Sequence, residues 1–406
     1  MLGSNSKQNK AVNVRLVLAQ IATQGPLSRA DIARTTFLSK QTITNQVDEL
    51  IRLQLVQEAG IKKEKVGKPS TMLLLQDHGY FTIGLRFWPD RLELALCSLT
   101  GQLLQQSCSA VPAEQQLHSC RALIEQLCQQ HHIDYQQLLG VGMTQVHHGS
   151  SSLIEQQQQR QLFQQQVATA LQLPVVAAQT AAACAAYHLL HGEARQLQSF
   201  CYVHLGQTIE AALVYHRTLL LGQNGFSGAL GEIFVTPDQD HSTGDFGRLN
   251  DFVSTHSLQQ FISKKMAVPE SQQSSLILSE SLTPQQADKL EPWFLAATEP
   301  MRVALHTLET LLNCQSIIIG GEVSDWLLDK LLSKLRPFIP SIAQYGERQV
   351  PRLIKTPDAG AVALKGLATL PLHAAIRADA SHPVALPQHS NMTAAQQLLF
   401  AGDLAD

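Results

Sequence analysis

The sequence contains no C-x-x-C pair: its seven cysteines stand singly at 97, 108, 120, 128, 184, 201 and 314. An odd, scattered set argues against a zinc ribbon and against a disulfide framework, and it reads as reduced thiols in a cytoplasmic protein. No apolar run reaches the roughly 18 residues that a membrane span needs. The first seven residues lack the apolar stretch of a secretory signal. The expectation is therefore a cytoplasmic chain with no membrane partner. What is present is 406 residues, 44% of them hydrophobic, enough to build a core and to exclude global disorder. At roughly 100–200 residues per domain the length suggests two to four domains.

Charge is unevenly placed. Residues 1–71 hold eleven Lys and Arg against five acids, a net +6, whereas the remainder carries −9. A basic head on an acidic body implies that only the head meets a polyanion.

In the head, apolar residues at 14, 17, 18 and 21 follow the i, i+3, i+4, i+7 pattern of an amphipathic helix, which Gly25-Pro26 stops. Ser28 and Asp31 are spaced as a short-armed capping box for a second helix over 29–35. After a Phe37-Leu38 turn, Ser39 is placed to cap a third helix over 40–54, with Ile43, Val47, Leu50 and Leu53 as its inner stripe. The expected outer face carries Lys40, Gln41, Thr42, Thr44, Asn45 and Gln46. Amides bond bidentately to adenine, and hydroxyls and Lys serve phosphates or guanine, so this helix reads as the recognition helix of a helix-turn-helix. A strand at 55–58, a basic loop at 59–69 and a returning strand at 70–75 then form a wing. Its tip holds Lys62, Lys63, Lys65, Gly67 and Lys68, suited to phosphates or a minor groove.

The body alternates strands and helices. Strands are expected at 80–85, 92–97, 102–108, 140–143, 174–178, 199–205, 210–215 and 316–319, and helices at 114–131, 155–172 and 180–191. This order implies α/β lobes with mixed sheets. Several landmarks, in order, resemble the ROK family (repressors, open reading frames and sugar kinases). They are the wing sequence Gly67-Lys68-Pro69-Ser70, the strand pair at 82–97, the stretch Gly225-Phe226-Ser227-Gly228-Ala229-Leu230-Gly231-Glu232-Ile233, the run Ile317-Ile318-Ile319-Gly320-Gly321-Glu322, and the closing Gly360-Ala361-Val362-Ala363-Leu364-Lys365-Gly366. The resemblance covers about residues 10–370. It implies an α/β, two-lobed actin-like ATPase body with a cleft, behind an N-terminal winged helix-turn-helix domain. The expected divisions are 1–76 for the DNA-binding domain, 77–190 and 191–370 for the two lobes, and 371–406 for a linker and C-terminal helix.

Against the family's kinases three motifs are lost. The strand that ends in D-x-G-G-T in the family is here Ile83-Gly84-Leu85-Arg86-Phe87-Trp88-Pro89, with Arg86 where the acid should be. The catalytic E-N-D-A-N aligns with Ala178-Gln179-Thr180-Ala181-Ala182, so the general base would be Thr180, whose hydroxyl cannot accept a proton from a sugar at neutral pH. The phosphate turn G-T-G-x-G is here Gly206-Gln207-Thr208-Ile209-Glu210, with an acid where phosphate would lie. The zinc-binding cysteines implied by the family are also missing; His241, Asp238, Asp240 and Asp245 read as a solvated turn. Neither a cofactor nor a metal is expected. Of the sugar-contacting residues Glu232 is retained, Gln179 stands where an Asn would bind a sugar hydroxyl, and Thr180 lies beside it; His204 and Gln207 are lesser candidates. The tail holds a short helix near 393–400, with Leu398, Leu399 and Phe400 exposed unless docked.

Two functions from different classes follow, beside a third, weaker reading of a pure interaction protein whose cleft binds another protein. One is a DNA-binding transcription regulator, a repressor of carbohydrate-related genes. It would act as a homodimer or dimer of dimers on double-stranded DNA, with a body that senses a sugar or sugar derivative or only builds the dimer. The other is a sugar or aminosugar kinase with a fused DNA-binding domain, which the loss of the acid at 180 disfavours.

Overall fold

The computed structural model describes residues 6–62, 70–146, 153–223, 227–235, 247–266, 268–344, 350–377, 383–388 and 391–401. The chain divides into two compact units. The first comprises 1–179, 186–195 and 364–406, and the second 180–185 and 196–363.

The first unit opens with α1 (Ser6–Gln24), the two-residue strand β1 (Leu27–Ser28), α2 (Arg29–Thr36) and α3 (Lys40–Arg52). The antiparallel wing strands β2 (Val56–Lys62) and β3 (Ser70–Leu75) follow. Val14, Val17, Leu18 and Ile21 of α1 are buried, as their spacing requires, against Ile32, Ile43, Val47 and Leu50. The Ser28–Asp31 capping box forms, and Ser39 accepts the Thr42 N–H; such caps are each worth about 1 kcal/mol. Two features differ from expectation. β1 pairs with β3, so the wing sheet has three strands in the order β1-β3-β2. Strand β2 also runs on to Lys62, because a bulge at Gly60, whose φ is +60°, lets the ladder continue.

Behind the head stand β4 (Phe81–Phe87), β5 (Arg91–Ser98), β6 (Leu103–Ala110), α4 (Ala113–Gln130), β7 (Leu138–Gln145), α5 (Leu153–Leu171), β8 (Val175–Ala177) and α6 (Thr180–Leu190). In the second unit come β9 (Phe200–Leu205), β10 (Ile209–Tyr215), β11 (Thr218–Leu220), β12 (Phe234–Val235), β13 (Gly247–Arg248), α7 (Leu249–Val253), α8 (Thr255–Met266), α9 (Glu270–Ile277), α10 (Pro284–Leu312), β14 (Ser316–Gly321), α11 (Asp325–Lys334) and β15 (Leu353–Lys355). Then α12 (Ala359–Ile376), β16 (Val384–Ala385) and α13 (Ala394–Gln396) close the chain. The first unit's sheet runs β16-β8-β7-β4-β5-β6, and the second unit's main sheet β11-β10-β9-β14-β15. Both are mixed: β4–β7, β7–β8, β9–β14 and β14–β15 are parallel, the other pairs antiparallel. This is the α/β, actin-like arrangement that the motif order implied.

Helix α12 is long and apolar enough to cross a membrane, yet 83% of it is buried in the protein. Its closeness to the sheet explains two glycines: a Cβ on Gly84 would meet the Leu364 carbonyl oxygen at 2.5 Å, and one on Gly142 the Leu367 oxygen at 1.8 Å.

The stretch after Leu370, expected as linker, is a correction. Helix α12 continues through Pro371 to Ile376, and Val384 then pairs with Val176 as an edge strand. The Gln164 side chain, buried on α5, donates to the carbonyls of both Val175 and Pro383 and so joins this strand to the unit. Gln396 donates to the Leu138 carbonyl at 2.9 Å. Leu399 and Phe400 are buried in the cluster that contains the head's Val14, Leu18 and Leu50, so the terminal turn is docked.

Candidate functional site

Helix α3 presents its polar face as a short, capped platform. The Ser39 hydroxyl accepts from the Thr42 N–H at 3.1 Å and lies 2.8 Å from the Thr42 hydroxyl. The Thr44 hydroxyl donates to the Lys40 carbonyl at 3.0 Å. Ser39, Lys40, Gln41 and Asn45 are exposed, and Thr42 and Thr44 half-buried. The Gln41 amide donates to the Asn45 side-chain oxygen at 3.0 Å, aligning two exposed amides one turn apart. Gln46 is corrected: it is only 7% exposed and faces inward beside Val47, because three residues after Ile43 the helix has returned to its buried side. Below the platform Arg29 holds Asp48 of α3 and Glu58 of β2, at 3.4 and 2.9 Å, and so ties the three elements together. No local spacing announced that bridge. At the wing, Lys62 pairs with Ser70 at the end of the ladder. The Lys62 side chain, and Lys63, Lys65, Gly67 and Lys68, lie outside the described residues.

In the body the three stretches expected to depart from the kinase motifs are each filled by contacts of the chain itself. Arg86 is buried, and its guanidinium bonds Glu93 at 2.6 Å; Arg91 reaches the same carboxylate at 3.1 Å. The Trp88 ring packs against both guanidinium groups, 5.1 and 4.0 Å from its centroid. The stretch set against the family's D-x-G-G-T is thus an ionic and aromatic cluster. Thr180 is buried as the first residue of α6, behind Gln179 in the cap position. The next amide, Ala181 N–H, donates to the Glu210 carboxylate at 3.0 Å. An acid of the chain itself therefore occupies a helix N-terminus, the position that attracts anions.

Glu232 is exposed and held from two sides, by Arg248 at 2.9 Å and by the Asn250 amide at 3.0 Å. The Asn250 oxygen accepts the Ile209 N–H at 2.7 Å. One network consequently links Glu232, through Asn250 and the Ile209–Glu210 strand start, to the helix that begins at Thr180. A Cβ on Gly231 would meet the Asn250 side chain at 2.0 Å, which accounts for glycine before Glu232. Gln207, a lesser candidate, approaches Gln259 at 3.5 Å. His204 is buried instead of lining a surface. Burial opposes its protonation, but hydrogen bonds with Cys184 and with Glu322, 3.4 Å away, prevail and raise its pKa to about 10. The residues 238, 240, 241 and 245, read as a solvated turn, lie outside the described residues.

The ROK family profile matches residues 82–373, and the MarR family profile residues 13–60. The chain is similar to a xylose repressor of Caldicellulosiruptor bescii, 26% identical over 351 residues covering 81% of this chain and 88% of the relative. Among solved structures it resembles a ROK family transcriptional regulator described as a homologue of the E. coli MLC protein. The TM-score is 0.62 at 19% identity, over 90% of this chain and 97% of that one. A ROK family glucokinase from Streptomyces griseus, solved with glucose and AMPPNP, superposes with a TM-score of 0.54 at 20% identity, over 71% and 98% of the two chains.

Proposed function

The chain belongs to the ROK family, and from that premise we propose that it is a sequence-specific DNA-binding repressor of carbohydrate-related genes. The observation that carries the reading is helix α3: a capped N-terminus presenting Lys40, Gln41 and Asn45 outward from a head of net charge +6. The repressor name of the C. bescii relative supports it.

The body does not transfer phosphate in this reading. Arg86 is committed to Glu93, Thr180 offers a hydroxyl in place of a base, and Glu210 fills the helix N-terminus. It serves as the effector and dimerisation part, taking a sugar or sugar derivative near Gln179, Thr180 and Glu232. The protein acts in the cytoplasm as a homodimer or dimer of dimers, which matches two half-sites one helical turn apart. No cofactor or metal takes part.

The test is to recover genomic fragments bound by the purified full chain, then to measure binding with and without a panel of sugars. D-Xylose comes first, because the relative's name includes it. Specific retention of a few fragments, released by one sugar, is expected. Absence of any specific fragment overturns the regulator. An ADP-release assay over hexoses and aminosugars is expected to stay at background, and turnover would establish the kinase with a fused DNA-binding domain.

A further inference from the structure

Phe37 ends helix α2, its N–H bonded to the Ala33 carbonyl at 3.0 Å, with φ 59° and ψ 16°. This is the left-handed region, where a bulky side chain is strained and glycine is not. Eight non-glycine residues have positive φ among the described residues, and Phe37 alone of them carries an apolar side chain. The ring gains nothing from packing in return: at 93% it is the most exposed large apolar side chain among the described residues. Its neighbour Leu38 turns inward onto the head's core, so the outward position is particular to Phe37.

Phe37 stands two residues before Ser39, the cap of α3, and close in sequence to the exposed Arg34, Lys40 and Gln41. That is the end of a recognition helix that enters the major groove. Resting on the DNA-binding reading, we propose that Phe37 is a specificity-determining residue that packs on the 5-methyl group of a thymine at the edge of the operator half-site. A thymine methyl is the apolar feature of the major groove, and an aromatic ring is suited to meet it. The basic residues near it in sequence bring this end of the head to the duplex, and such a contact returns the cost of an unpacked ring in a glycine conformation. An insertion between bases is a minor-groove device and does not fit the position before this helix.

The test uses the full chain and duplexes selected from a random-sequence pool by the wild type. Each thymine of the selected site is replaced singly by uracil, which removes only the methyl. For the wild type, one such replacement is expected to weaken binding about fourfold, the worth of one buried methyl-sized group. Phe37→Gly is expected to bind the parent duplex at least about tenfold more weakly, to be indifferent to that uracil, and to melt no lower than the wild type. Phe37→Leu should fall between them and keep part of the uracil effect. A Phe37→Gly protein that binds the parent duplex as tightly, or that keeps the full uracil penalty, overturns the proposal while leaving DNA binding intact. A loss of self-association without any change in the uracil effect also overturns it, assigning the ring to a second copy of the chain. If the wild type selects no duplex, both the proposal and the DNA-binding reading fail.

Discussion

Arg86 and Glu93 face each other across the antiparallel β4–β5 pair, and guanidinium meets carboxylate at 2.6 Å, with only 7% and 14% of the two side chains exposed. A buried charge is tolerable only with its partner, so breaking one half of the pair costs more than the pair itself contributes. Glu93→Gln is expected to destabilise the first unit by about 3–5 kcal/mol, read as a shift in chemical denaturation. The double change Arg86→Met with Glu93→Leu removes both charges and should cost less than Glu93→Gln alone, since Arg91, which also bonds Glu93, keeps Asp90 as a partner at 3.2 Å. A Glu93→Gln protein of unchanged stability would show that the pair is not buried in solution.

The docked tail predicts a second asymmetry. Phe400 and Leu399 fill a cluster shared by helix α1 and the body's Leu139 and Leu372. Phe400→Ala should cost about 3–5 kcal/mol and loosen the head first. Hydrogen exchange is expected to speed up in α1 and in β16 while the second unit's β9 and β14 keep their protection. Equal loosening of both units would contradict this packing.

The head was legible where periodicity and caps carry the information. Val14, Val17, Leu18 and Ile21, and the Ser28–Asp31 box, are local patterns with one solution. Gln46 was misread because its polarity suggested solvent, whereas its angular position beside Ile43 and Val47 places it inside. The body's strands were legible as apolar runs. The long-range pairings were not: Ala181 and Glu210 lie 29 residues apart, and Gln164 meets Pro383 over 219. Such pairings arise only when the chain folds, and no periodicity signals them. The tail was ambiguous for the same reason, since Leu399 and Phe400 look like an exposed apolar turn until their partners are known.

Two buried histidines give the units opposite responses to pH. Burial lowers His188, in the first unit, to about 4 from an ordinary 6.5. The unfolded chain then binds the extra proton between these values, so His188 contributes stability above about pH 6.5 that is lost as pH falls towards 4. In the second unit, His204 is raised to about 10 by Cys184 and Glu322 against the effect of burial. Its contribution is full below about pH 6.5 and is lost as pH rises through 10. Pulse proteolysis across a pH series should show the first unit weakening in acid and the second in alkali. His188→Gln should make the acid limb shallower, His191 of the same unit being lowered to about 4 as well and keeping the rest, and His204→Gln should flatten the alkaline limb; both units weakening in the same direction would refute the assignment.

Asn45 and Gln46 are adjacent amides with opposite surroundings, and they separate recognition from stability. Asn45 is exposed and bonded only along the helix surface, to Gln41 at 3.0 Å. Asn45→Ala should leave thermal stability within about 0.5 kcal/mol and cost about 1–3 kcal/mol in operator binding, concentrated at particular base pairs. Gln46 is buried, and its Oε1 has no hydrogen-bond partner among the described residues. A buried carbonyl oxygen without a donor is a standing cost of about 1–3 kcal/mol. Gln46→Leu, similar in size and apolar, should therefore be neutral or stabilising and leave base preference unchanged. Affinity for a set of single-base operator variants, measured beside melting temperature for both proteins, decides the matter. Base preference that moves with Gln46→Leu and not with Asn45→Ala would mean that helix α3 is turned about its axis relative to this structure when it enters the groove.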